Sequence, residues 1–73
     1  MKLSDVQAGQ RAMVKKIDAD RGLKLRLKGM GFFEGGEFTL VRRSSTALLV
    51  ECTGRISIRI ETAETIEVEV CAT

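Results

Sequence analysis

The residues from which this chain could build chemistry are few: two cysteines, Cys52 and Cys71, a run of carboxylates at Glu61, Glu64, Glu67 and Glu69, serines at Ser44, Ser45 and Ser57, and a glycine cluster, "GMGFFEGG", over residues 29 to 36. Catalysis needs a base to activate a nucleophile or a metal to polarise a substrate. There is no histidine, the serines have no visible partner, and the four carboxylates are spaced as one polar strand face and a loop. No catalytic residue is assigned, and the chain is not expected to be an enzyme. A transition-metal site fares no better, since imidazole is absent and the cysteines lie nineteen positions apart. Isolated cysteines pack as small hydrophobes, and Cys52, in phase with Leu48 and Val50, is expected to do so. No metal ligand and no cofactor are assigned.

The glycines invite a phosphate cradle, and the residues refuse it. For G-x-G-x-x-G, Gly29 and Gly31 are in place but the third position is Glu34. For G-x-x-x-x-G-K, Gly31 and Gly36 fit, yet Glu37 stands where a lysine must reach the phosphates. A conformational role suits them better. Gly31 falls where a helix would stop in a left-handed residue, and Gly35-Gly36 where the chain must turn sharply into the next strand.

These residues have to be carried by something, and 73 residues, 44% hydrophobic and 30% charged, make a single domain over residues 1–73. Such a short chain buries only about 60% of the surface its unfolded form exposes. The opening Met1-Lys2-Leu3-Ser4-Asp5 has no signal-peptide core, and the longest apolar stretch, Ala47 to Val50, is far too short to cross a bilayer. With too few cysteines for a disulfide framework, a reducing cytoplasm is the expected location.

Alternation defines most of the elements. Ile56-Ser57-Ile58-Arg59-Ile60 and Ile66-Glu67-Val68-Glu69-Val70 alternate strictly, with β-branched residues on the apolar side. Glu61 to Glu64 can hold one helical turn between them. Thr53-Gly54-Arg55 turns back to a strand at Ala47 to Cys52, and Glu37 to Val41 is another. A fifth runs from Gln10 to Ile17, and its apolar phase slips between Val14 and Ile17, which predicts a bulge. Five short strands in so few residues predict an all-β fold, a small, strongly bent SH3-like barrel.

Residues 23 to 30 read two ways. "LKLRLK" alternates as a strand would, yet Leu23, Leu27 and Met30 also fall on one helical stripe. If the segment is a helix, those three face the barrel, and Leu25, about 200° from Leu23, points outward with Lys24 and Lys28. The adjacent Phe32 and Phe33 point to opposite sides, so only one enters the core.

Over nearly its whole length the chain resembles the FeoA family, small ferrous iron transport proteins. The likeness rests on Leu3, Val6 and Gly9, on Leu27, Met30, Gly31, Phe32 and Gly35, and on Gly54, Arg59, Ala63, Ile66 and Val68. Glu34 departs from it, standing where the family commonly has proline. The resemblance implies an SH3-like barrel of about five strands with one short helix between the first and second strands. It implies that Phe32 is the inward phenylalanine, beside the core position that the helical stripe gives Met30 and the turn positions already assigned to Gly31, Gly35 and Gly36. It also implies a cytoplasmic accessory or regulatory protein of bacterial ferrous iron uptake, acting by binding the membrane GTPase transporter FeoB at its cytosolic GTP-binding portion, and so recruited to the inner face of the membrane. The partner-binding residues expected on this view are Lys24, Leu25, Lys28 and Phe33.

Charge offers the alternative. Residues 1 to 43 carry ten Lys/Arg against five acids, and residues 44 to 73 two against five. Lys15, Lys16, Arg21, Lys24, Arg26 and Lys28 form a basic cluster in sequence, as in a nucleic-acid-binding barrel or the barrel domain of iron-dependent repressors. With three phenylalanines and no Tyr or Trp, bases have little to stack on, and no nucleic acid is expected as partner.

Overall fold

The computed structural model describes residues 1–71. Five strands form one antiparallel sheet: β1 (Arg11–Ile17), β2 (Glu37–Arg43), β3 (Ala47–Glu51), β4 (Arg55–Arg59) and β5 (Ile66–Val70). Their order is β4-β3-β2-β1-β5, so β1 pairs with β2 on one side and with the distant β5 on the other. Helix α1 (Arg21–Gly29) lies between β1 and β2, and the one-turn α2 (Ile60–Ala63) between β4 and β5. The strand alternation translates directly into burial: Ala12, Val14, Phe38, Leu40, Leu48, Val50, Ile58, Ile66 and Val68 are all buried in one core to which every strand contributes. Each of these side chains larger than alanine contributes about 1.5–3 kcal/mol of apolar transfer on burial. Ile56 and Ile60, expected beside Ile58, are only half-buried at the margin.

The expected irregularity in β1 is present as a register shift between Val14 and Lys16 against β5. A second shift, between Leu40 and Arg42 in β2, has no counterpart in the sequence reading. Bulges bend a strand and raise its twist, and these two let a five-stranded sheet curl over a small core. The 3-10 turn at Leu3–Asp5 also escapes the alternation pattern. It buries Leu3 and Val6, two positions of the family resemblance, under the sheet, and Arg43 fixes it by donating to the backbone oxygens of Val6 (2.5 Å) and Ser4 (2.8 Å).

Residues 21 to 29 are helical, and both ends show why. Asp20 is the N-cap, its Oδ1 accepting from the Leu23 N–H at 2.8 Å. At the other end the N–H of Gly31 donates to Lys28 O (3.0 Å) and that of Phe32 to Leu27 O (2.9 Å). With Gly31 at φ +93°, this is a Schellman motif, whose apolar contact joins Phe32 to Leu27. Both are buried, and the Phe32 ring lies 5.4 Å from that of Phe38.

That closure corrects one expectation. Met30 does not face the barrel; it is 46% exposed. The helix stops at Gly29, Met30 is its C-cap at φ −94°, ψ 4°, and the reversal at Gly31 brings Phe32 over Leu27 into the place the periodicity gave to Met30. Leu23 is half-buried against the core.

Candidate functional site

One groove, with a volume of about 590 Å³, opens where the end of β1, the outer face of α1 and the glycine turn meet. Ile17 and Ala19 form its floor, Arg21, Lys24, Leu25 and Lys28 come from α1, and Phe33 and Glu34 from the turn. The four residues singled out in the sequence, Lys24, Leu25, Lys28 and Phe33, all line it. Leu25 is 58% and Phe33 42% exposed. These two large apolar side chains face water between cations.

The turn holding Phe33 is closed by the Gly36 N–H on Phe33 O at 3.0 Å, with Gly35 at φ +92° in its third position, where a type II turn needs a left-handed residue. It is tied to β1 by a pair of bonds, Gly35 N–H to Val14 O (2.7 Å) and Val14 N–H to Gly36 O (2.9 Å). A Cβ on Gly36 would stand 3.2 Å from two carbons of the Phe33 ring. The ring therefore packs closely over Gly36, and a side chain there would have to push it aside.

Glu34, the departure from the family pattern, has a specific task. Its Oε2 accepts from the Ile17 N–H at 2.9 Å and lies 3.5 Å from Lys24 Nζ. The turn thus gains a third anchor on β1 and a link to α1 across the groove. The Ile17 N–H above all, and then the Lys24 ammonium, hold the Glu34 carboxyl below the usual carboxylate range. Sequence pattern gives no sign of this contact, because it joins residues seventeen apart through a bond that has no periodicity.

The basic cluster of the sequence divides in space. Arg21, Lys24 and Lys28 stay on the groove. Lys15 pairs instead with Glu69 at 3.5 Å across β1 and β5, and Arg26 turns to the opposite side of α1, beside Leu23, Leu27 and Met30. Of the three phenylalanines only Phe33 is exposed. Cys52 is half-buried at the core margin, with Sγ 3.6 Å from Met30 O and 3.5 Å from Gly54 O. Among the described residues no group of three or more His, Cys, Asp or Glu side chains is placed to hold a metal ion, and no helix is long and apolar enough to cross a membrane.

The FeoA domain model matches residues 1–70. No curated protein matches the chain in sequence. Solved structures do. The FeoA protein of Chlorobium tepidum is 32% identical, with a TM-score of 0.90 over 99% of this chain and 71% of that one. Iron(II) transport protein A of Clostridium thermocellum is 33% identical with a TM-score of 0.85, and the match covers 96% of this chain but 45% of that longer one. FeoA of Stenotrophomonas maltophilia, crystallised with zinc, is 28% identical with a TM-score of 0.76 over 94% of this chain and 89% of that one. It is described as a procaryotic SH3-domain protein and a possible ferrous iron transport activating factor. The five-stranded antiparallel sheet is thus an SH3-like fold, and with the domain match running from Met1 to Val70 the chain belongs to the FeoA family, small domains associated with ferrous iron transport.

Proposed function

We propose that this protein is a cytoplasmic accessory factor of ferrous iron uptake that acts by binding, through the groove between α1 and the glycine turn, to the cytosolic GTP-binding portion of a FeoB-type membrane transporter. The observation that carries the reading is the pairing of Leu25 and Phe33. Both are large, apolar and exposed, they line one groove, and Arg21, Lys24 and Lys28 rim it. An apolar centre within a charged rim is the usual anatomy of a transient protein interface. Family membership supplies the iron-transport setting, and the relative described as a transport activating factor agrees with a regulatory role.

The cations act before contact and the apolar pair after it. Charges on the rim raise the rate of encounter with an acidic partner and make it fall with salt, whereas Leu25 and Phe33 govern how long the complex lasts. Membrane recruitment follows from the partner and needs no lipid-binding element in this chain.

The test is a binding titration against the purified cytosolic portion of a FeoB-type transporter. Phe33→Ala and Leu25→Ala should each weaken the complex at least tenfold, about 1.4 kcal/mol, chiefly through faster dissociation. Lys24→Ala with Lys28→Ala should slow association and flatten its salt dependence. If all four side chains can be removed without changing affinity, the groove is not the docking site.

A further inference from the structure

The sheet has two outer edges, and the fold treats them differently. The edge of β5 is covered by the N-terminal segment: Val68 N–H donates to Met1 O at 2.7 Å, and Lys2 pairs with Glu67 as an added antiparallel rung. Among the described residues the edge of β4 has no such cover. The register of β3 with β4 identifies which groups it presents. Ile60 N–H donates to Thr46 O (3.0 Å) and Cys52 N–H to Gly54 O (2.9 Å), so the bonded rungs between them are Leu48 with Ile58 and Val50 with Ile56. Arg55, Ser57 and Arg59 occupy the alternate rungs, and their N–H groups are directed away from β3. Among the described residues none of these three N–H groups has a hydrogen-bond partner outside the ladder.

Beside this edge lies a second cleft of about 340 Å³, on the side of α1 opposite to the Leu25 groove. Its walls are Leu23, Arg26 and Met30 of the helix end and Ser57, Ile58 and Arg59 of the strand. It therefore combines a row of unpaired backbone donors, an exposed methionine and two arginines.

We infer that this edge accepts an extended segment of another protein as a sixth strand, and that the segment has acidic residues four positions apart with apolar residues between them, in the order acid, apolar, any, apolar, acid. The pattern follows from the pleat. Side chains on an added strand alternate in step with those of β4. Residues opposite Arg55 and Arg59 share their exposed face, and directly opposed unlike charges stabilise such a pair. Residues opposite Ile56 and Ile58 point to the helix side, where Met30 and the half-buried Leu23 offer apolar surface. Arg55 has Glu51 at 3.9 Å, an exposed pair that a better-placed carboxylate can replace. A second copy of this chain is a poor occupant. Antiparallel self-pairing about Ser57 would set each Arg55 against the other copy's Arg59, and opposed like charges guard an edge against that. The inference is independent of the Leu25 and Phe33 groove and stands or falls without it.

The test uses the whole chain, isotope-labelled, and the blocked peptide Thr-Glu-Val-Thr-Val-Glu-Thr, with lysine in place of both glutamates as the control. On titration, the amide resonances of Arg55, Ser57 and Arg59 should shift and their hydrogen exchange should slow at least tenfold, while those of Leu25 and Phe33 stay in place. The lysine peptide should bind at least tenfold more weakly. A double variant, Arg55→Glu with Arg59→Glu, should reverse the preference between the two peptides, which a merely unfolded chain could not do. The inference is overturned if the glutamate peptide leaves the β4 amides unmoved at millimolar concentration, if both peptides bind alike, or if the shifts centre on Leu25 and Phe33.

Discussion

Strand β5 and helix α1 each carry three apolar side chains, and the protein uses them differently. β5 buries Ile66 and Val68 and half-buries Val70. α1 buries only Leu27, half-buries Leu23 and leaves Leu25 in water. The strand is held along its length by side chains and by the ladder to β1. The helix is held at its two ends, by the Asp20 cap and by the turn from Met30 to Phe32 that closes over Leu27. An element fastened at its ends keeps its outer face free, and the outer face of α1 is where Lys24, Leu25 and Lys28 line the groove.

The sharpest way to break this contrast is to remove the one aromatic that anchors α1 and its closing turn. Phe32→Ala should cost about 3–5 kcal/mol, read from the urea midpoint. For a domain of this size total stability is about 4–11 kcal/mol, so the variant should lose a large fraction of it and unfold at much lower urea. A loss under 1 kcal/mol would mean that α1 and its turn are not coupled to the core.

Next comes the left-handed residue. Gly31→Ala places a Cβ at φ +93° and 2.7 Å from the Thr53 Cβ, and should cost about 1–3 kcal/mol from backbone strain alone. Combining it with Thr53→Gly should recover the steric part and leave the strain. If the double variant recovers nothing, the approach of the turn to Thr53 is looser than described.

The third comparison concerns the exposed side chains. Leu25→Ala, Phe33→Ala and Met30→Ala should each change stability by less than about 1 kcal/mol, against about 2–5 kcal/mol for Leu27→Ala. Should Leu25→Ala unfold the protein, the helix would have to turn its other face to the sheet, and the proposed docking groove would be lost with it.

The smallest effect is one of pH. The Glu34 carboxyl sits below its ordinary value through the Ile17 N–H and then Lys24, so it is more acidic folded than unfolded. Its contribution is present above the ordinary value of 4.5 and is lost as pH falls through the lower folded value. Glu34→Gln should therefore lower the neutral plateau of the stability profile slightly and flatten its acid limb below about pH 4.5, the two profiles converging at the lowest pH. An identical acid limb in the variant would mean that the contact with Ile17 has no energetic weight.

How much of this is legible in the sequence depends on how local its cause is. The strands are read from alternation because each buried β-branched residue answers to neighbours two positions away, and the bulge near Val14 shows as a slip in that same phase. Helix α1 and its closing turn are harder. "LKLRLK" satisfies both periods, and what decides for the helix is the pair of end structures at Asp20 and Gly31. Gly31 was readable as a stop, but its consequence for Met30 was not, because extending the helical stripe one residue past the end assigns a direction that the reversal removes. Leu25 is placed outward by helical geometry once the segment is read as a helix, whereas Phe33 is placed outward only through the family resemblance that turns Phe32 inward. Their meeting in one groove required the packing of the turn on β1, and the link from Glu34 to Ile17 is a long-range bond between a side chain and the backbone that no periodicity announces.

The sheet order has a consequence in time. β1 lies between β2 and β5, and the pairing of Ile17 with Ile66 joins positions on either side of both helices and three strands. Hairpins β2-β3 and β3-β4 close over short loops and can form early, whereas closing a loop of nearly fifty residues is slower, because its entropy must be lost before any contact repays it. During synthesis at about 5–20 residues per second, β1 therefore leaves the ribosome several seconds before its second neighbour exists. For that interval its bulged edge, bearing Lys15 and Lys16, stands open, and the two lysines discourage other nascent chains from pairing there until β5 arrives.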